Sequence, residues 1–150
     1  NEQLFPDIRE DMFISLAFLI LEKGTGKIAI ARAGHDAPLH FRADAKIADP
    51  VQSPGIAIGI DSGNVFNNAI KKHVIHLKKG DILLLYTDGV NEASDIRGEE
   101  FGIQRLHKTL ISASPKGARN VITEIQESVN VFASNVAQND DITLITIEKT

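Results

Sequence analysis

A chain of 150 residues with 43% apolar and 24% charged residues has the size and composition of one globular domain with a substantial core, and is not a disordered segment. A formal net charge of -4, with no basic stripe interleaved with aromatics, argues against nucleic acid as a partner. The chain has no Cys, which excludes disulfides, zinc-thiolate sites and a thiol nucleophile, so any phosphate chemistry would need metals or another nucleophile.

Asn1 to Asp11 is polar and aperiodic, and no signal-peptide pattern opens the chain, so a cytoplasmic protein is expected. Met12 to Leu21 contains Ser15 and is too short to span a bilayer, so no membrane contact is expected of this domain. That run is predicted as a strand, because the polar, Gly-bearing stretch Glu22 to Lys27 after it suits a hairpin. Ile28 to Ala33 would be the second strand. Pro38 to Arg42, after a tight Gly34-His35-Asp36 corner, would be the third of an antiparallel meander. Ala43 to Pro54 reads as a loop, Gly55 to Ile60 as a packed glycine-punctuated loop, and Asp61 to Asn68 as turns. Ala69 to Leu77 suits an exposed strand.

Ile82 to Leu85 is apolar without a break and is predicted as a strand buried on both faces. Asp88-Gly89 then makes a sharp turn that aims a carboxylate out of a rigid element. Phe101, Ile103, Leu106, Leu110 and Ile111 space a helix over Glu99 to Ser112. Ser114-Pro115 is a start signal for a second, with serine as cap. Its stripe is Val121, Ile122, Ile125, Val129, Phe132 and Val136, and it ends in Asn135 to Asn139. Ile142 to Ile147 alternates as a closing strand. Strands, then helices, then a last strand indicate an α+β fold with a largely antiparallel sheet.

If that last strand returns beside Ile82 to Leu85, its entrance lies beside the other's exit, bringing Asp140 and Asp141 near Asp88. A carboxylate cluster there suits Mg²⁺ or Mn²⁺, and two such ions could activate a bridging water against a phosphate. The plainer reading is a turn at Asp88-Gly89 and a polar residue before a strand. His35 is a candidate general acid or, more simply, a corner histidine bonded to backbone. His73 and His76 fall on opposite faces of a strand and make no metal pair, and His40 and His107 have no evident partner. Lys71-Lys72 and Lys78-Lys79 are solvated strand ends or a partner-binding patch.

The run Gly80-Asp81-Ile82-Leu83-Leu84-Leu85-Tyr86-Thr87-Asp88-Gly89-Val90-Asn91-Glu92-Ala93 closely resembles the signature of metal-dependent Ser/Thr protein phosphatases of the PPM type, bacterial SpoIIE-like branch. Further landmarks agree in order: Ala33-Gly34-His35, Gly55 to Ile60, Gly98-Glu99-Glu100-Phe101-Gly102 and Asp140-Asp141-Ile142-Thr143. The resemblance implies a β-sandwich flanked by helices and a two-metal Mn²⁺ or Mg²⁺ centre that activates water against phosphoserine or phosphothreonine. Asp88 and Asp140 match metal ligands, with Gly89 and Asp141 as neighbours, and no catalytic residue is expected beyond the ligands. The family's Gly-Asp-x-x-Asp motif, which carries the metal-bridging aspartate, has no counterpart here, since Asp7 and Asp11 lack its strand context. Residues 1–150 are therefore expected to be a single, N-terminally incomplete PPM-type domain, with a surface left open to self-association as a homodimer. The implied activity of the parent protein is dephosphorylation of a regulatory phosphoprotein, an anti-sigma-factor antagonist, in sigma-factor partner switching. The alternative is a non-catalytic phosphatase-like binding or sensing module.

Overall fold

Where apolar residues alternate with a period of two, the chain pairs into two antiparallel sheets; where the period lengthens, it forms helices. The computed structural model describes every residue of the chain except Asn135, so that part of the expected helix end lies outside the described residues. The chain divides into two compact units, one of residues 1–37 and 52–76, the other of residues 38–51 and 77–150.

In the first unit β1 (Leu16–Leu21) and β2 (Lys27–Ala33) form the expected hairpin, and β5 (His73–His76) pairs with the other side of β2. The side chains of Ile28 and Ile30 are buried on one sheet face. Gly55 to Ile60 is a packed loop, and Ile58 bridges to Ile14. Its glycine is required: a Cβ on Gly55 would fall 1.8 Å from the Arg32 carbonyl oxygen. Asp61 to Asn68, expected as turns, holds the short helix α1 (Asn64–Ala69). One Asp61 carboxylate oxygen accepts the amides of Gly63, Val65 and Phe66 at 3.0, 2.8 and 3.1 Å and so nucleates the turn.

The second unit is a four-stranded sheet in the order β4-β3-β6-β7, from β3 (Leu39–Arg42), β4 (Ile47–Pro50), β6 (Ile82–Tyr86) and β7 (Leu144–Glu148). The expected meander is therefore corrected. The third strand leaves β2's sheet and pairs instead with β4 and β6, matching Leu39 to Leu84 and Phe41 to Ile82. The stretch expected as a loop contains β4. Every residue of β6 is buried, as expected of its unbroken apolar run. Its core-facing side chains Ile82, Leu84 and Tyr86 pack with Leu106 and Leu110 of α3 (Gly102–Ala113) and with Val121, Ile125 and Val129 of α4 (Ala118–Ala133). Full burial of each such side chain contributes about 1.5–3 kcal/mol. Phe101 meets Phe132 edge-on at 5.6 Å, and the Arg105 guanidinium lies 4.5 Å over the Phe132 ring, joining the two helices at one end.

Ser114 does not cap α4. Its hydroxyl donates to the Leu110 carbonyl at 2.7 Å, and Ser114–Lys116 form a 3₁₀ turn before the helix begins at Ala118. The exposed first amide of α4 is taken up by Glu148 of β7, whose carboxylate accepts from the Ala118 amide at 2.8 Å. Among the described residues no helix is long and apolar enough to cross a membrane.

Candidate metal centre

β7 returns antiparallel beside β6, with Tyr86 opposite Leu144 and Ile82 opposite Glu148. Thr87 carries the ladder one step further. Its amide donates to the Thr143 carbonyl at 3.2 Å, while its hydroxyl donates to the Asp141 carbonyl at 2.8 Å and accepts the Thr143 amide at 2.9 Å. The turn after it is the short helix α2 (Asp88–Asn91), so the expected sharp turn is one turn of helix.

Gly89 is buried between this turn and the incoming segment. A Cβ there would lie 2.7 Å from the Asp141 carbonyl oxygen and 3.0 Å from that of Asp140, so only glycine lets the two backbones close. Asp88 and Asp140 are both exposed. One oxygen of Asp88 accepts the Gly89 amide at 3.0 Å, and one of Asp140 accepts the Asp141 amide at 2.7 Å. A cleft of about 180 Å³ lies against Gly89 and Asp140, lined also by Glu92, Ser94, Glu100 and Asn139. Its far wall is the loop after α2, held by Asp95, which accepts the amides of Arg97 at 2.8 Å and Glu99 at 2.9 Å. The Glu99 amide foremost holds the Asp95 carboxyl below its ordinary range against partial burial.

Asp141 lines a different groove, with Thr123, Gln126 and Glu127 of α4, because successive residues entering a strand point to opposite sides. Among the described residues no three Asp, Glu or His side chains are gathered closely enough to hold a metal, so Asp88, Asp140 and Asp141 are not a three-carboxylate cluster. The carboxylates that line the cleft are Glu92, Glu100 and Asp140, and Asp88 lies outside its lining. That chemistry fits one hard divalent cation bound through a few carboxylates that keeps several waters. It does not fit a soft ion.

His35 belongs to the first unit. Its Nδ1 lies 3.1 Å from the Asp36 carbonyl oxygen, and its own carbonyl accepts the Arg32 guanidinium, which is the backbone-bonded corner reading. Gly34, at φ 68°, closes that corner against Ala57, 2.6 Å from where its Cβ would stand. His73 and His76 lie on β5. His40 does have a partner: its Nε2 lies 3.1 Å from an Asp81 carboxylate oxygen. Glu92 and Glu100 were not legible as site residues. Glu92 falls in the Gly80 to Ala93 run and Glu100 in the Gly98 to Gly102 landmark, but nothing local marks either side chain as part of a site.

The family model described as Stage II sporulation protein E (SpoIIE) matches residues 1–150. Protein IcfG of Synechocystis sp. is 29% identical over 136 residues, covering 91% of this chain and 20% of that protein. Phosphoserine phosphatase RsbU of Bacillus subtilis is 23% identical over 151 aligned residues, covering 99% of this chain and 43% of that protein. The chain thus spans less than half the length of the curated relatives it matches. Among solved structures, the SiaA-PP2C domain of Pseudomonas aeruginosa superposes with a TM-score of 0.79 at 16% identity, over 99% of this chain and 58% of that one. Two antiparallel sheets with helices are thus the architecture of a PP2C-type domain, and the α+β class holds.

Proposed function

The chain belongs to the SpoIIE family, and on that premise we propose that it forms the metal-binding part of a cytoplasmic protein phosphatase acting on phosphoserine or phosphothreonine of a regulatory protein. The observation that carries the reading is the closure of Asp140-Asp141 on the Asp88-Gly89 turn, made possible by the bare Gly89 and tied by Thr87. The relative named a phosphoserine phosphatase, matched over nearly the whole of this chain, supports the reaction type. In the same reading the substrate is an anti-sigma-factor antagonist of a partner switch.

Asp88 and Asp140 would hold Mn²⁺ or Mg²⁺, each through the carboxylate oxygen that its neighbouring amide leaves free. A bound ion supplies the positive charge that acidifies a water and neutralises charge developing on the phosphate. The chain's own part is positional. The β6–β7 ladder and the Thr87 hydroxyl hold the backbone before β7 beside the Asp88 turn. Glu92 and Glu100 make the cleft acidic and repel a phosphate until a cation is present, so turnover is expected to require added metal.

The test is hydrolysis of a phosphoserine peptide by the protein as expressed from its gene, with and without Mn²⁺, beside Mn²⁺ binding to this chain by electron paramagnetic resonance. Asp88→Asn should lower the metal-dependent rate by at least about a hundredfold and weaken Mn²⁺ binding. A variant that keeps its full rate removes Asp88 from the centre. The lack of any gathered group of three ligands among the described residues favours a second reading, a non-catalytic binding module. That reading expects phosphopeptide binding with no Mn²⁺-dependent release of phosphate.

A further inference from the structure

Arg105 stands in the first turn of α3, where a cation faces the positive end of the helix dipole. Its placement therefore does nothing for the helix that carries it. The side chain turns back instead. Its Nη1 donates to the Glu100 carbonyl at 3.0 Å and to the Phe101 carbonyl at 2.9 Å. Its Nη2 donates to the Glu99 carboxylate, and the guanidinium rests 4.5 Å over the Phe132 ring of α4. The ion pair contributes least of these, because its two side chains are 43% and 49% exposed. The carbonyl bonds and the ring contact are what the planar, multiply donating guanidinium is suited to.

The backbone so held closes a small hairpin. The Phe101 amide donates to the Ala93 carbonyl at 2.7 Å, Ser94 bridges to Glu100, and the Asp95 amide donates to the Glu99 carbonyl at 2.9 Å. The tip is tied from within by the Asp95 carboxylate, which takes the amides of Arg97 and Glu99. The base is tied to the helix pair by Arg105. This hairpin follows directly on the Asp88 turn, and its Ala93, Ser94 and Glu100 line the cleft that Asp140 also lines. A carboxylate on that wall draws a cation into the cleft only while its backbone is kept there.

We propose that Arg105 is a positioning residue for the cleft: through the Glu100 and Phe101 carbonyls, and braced on Phe132, it holds Glu100 at the cleft wall for a divalent cation. The inference rests on the reading of the cleft as a cation site and adds to it the residue that keeps its wall in place. Charge and position here predict opposite signs. Removing a positive group from beside an acidic cleft should by charge alone tighten the binding of a cation. Releasing the wall should loosen it.

The test is Mn²⁺ binding, read by electron paramagnetic resonance, to the protein as expressed from its gene. Arg105→Ala should weaken binding by about fivefold or more. Arg105→Lys should weaken it similarly, because it keeps the charge and loses the fork that spans two carbonyls. Leu110→Ala, a cavity in the buried core of the same helix, should lower the unfolding temperature yet leave Mn²⁺ binding within about twofold. Without metal, hydrogen exchange at the Phe101 amide should quicken by about tenfold in both Arg105 variants, relative to the β6 amides. Tighter or unchanged Mn²⁺ binding in Arg105→Ala, with Asp88→Asn still weakening it, overturns the positioning role and leaves the cation site standing. So does a loss in Leu110→Ala equal to that in Arg105→Ala, since general destabilisation would then account for both. A wild-type protein that binds no Mn²⁺ overturns the cation site itself, and the role of Arg105 with it.

Discussion

Asp81 is 2% exposed and carries a charge, which is tolerable only because its oxygens are fully engaged. They accept the amides of Ala43 at 2.9 Å and Lys78 at 3.0 Å and meet the His40 ring at 3.1 Å. Burial pushes the carboxyl up, but these three donors outweigh it and hold it below the ordinary range. A carboxyl whose folded value is depressed contributes stability that is present above its unfolded value, near 3.9, and lost as pH falls through the lower folded value. Asp81→Asn should therefore cost about 1–3 kcal/mol at neutral pH in urea unfolding. The gap between the two proteins should narrow as pH falls below about 4. A gap that widens in acid would show that Asp81 is not the anionic bracket of β3 and β6. Nothing local in the sequence announces that Asp81 is partnered by a histidine 41 positions away.

Elements with a strong internal pattern were the legible ones. The unbroken Ile82 to Leu85 run, the alternating Ile142 to Ile147 run and the Val121 to Val129 stripe became β6, β7 and α4. Antiparallel logic then foresaw Asp140 arriving at the end of β6, and the Gly89 contact is where it arrives. What failed had weak local signals. β4 has one buried residue, Ala48, and ends in proline; α1 has six residues and buries none. The exit of β3 to another sheet is a matter of partners more than forty residues away, which no window of sequence reports. The start of α4 belongs to the same class, since its cap comes from β7 and not from Ser114. Glu148→Ala should fray the first turn of α4 and lower stability by about 1 kcal/mol. The check is thermal unfolding, with Ser114→Ala as the comparison. Equal fraying at Ala118 in both variants would return the cap to the serine.

Across the molecule, protection should follow burial and pairing. β6 is wholly buried and bonded on both sides, by β3 and by β7. β1 sits at the edge of its sheet with most of its side chains open to solvent. Native-state hydrogen exchange should find the β6 amides the slowest of any strand and the β1 amides the fastest. β1 amides that outlast those of β6 would overturn this order of protection.

The Thr87–Asp141 hydrogen bond spans 54 positions, and it also sets an order of events during synthesis. α3 and α4 leave the ribosome before β7 does, so a nascent chain can bury most of the helical core against β6 while one edge of that strand still lacks its neighbour. Asp88 is then made but has nothing to face. Only when β7 has cleared the exit tunnel can it zip along β6 and draw Asp140 over Gly89. The approach of Asp140 to Gly89 is thus made late, after the helices of its unit have formed.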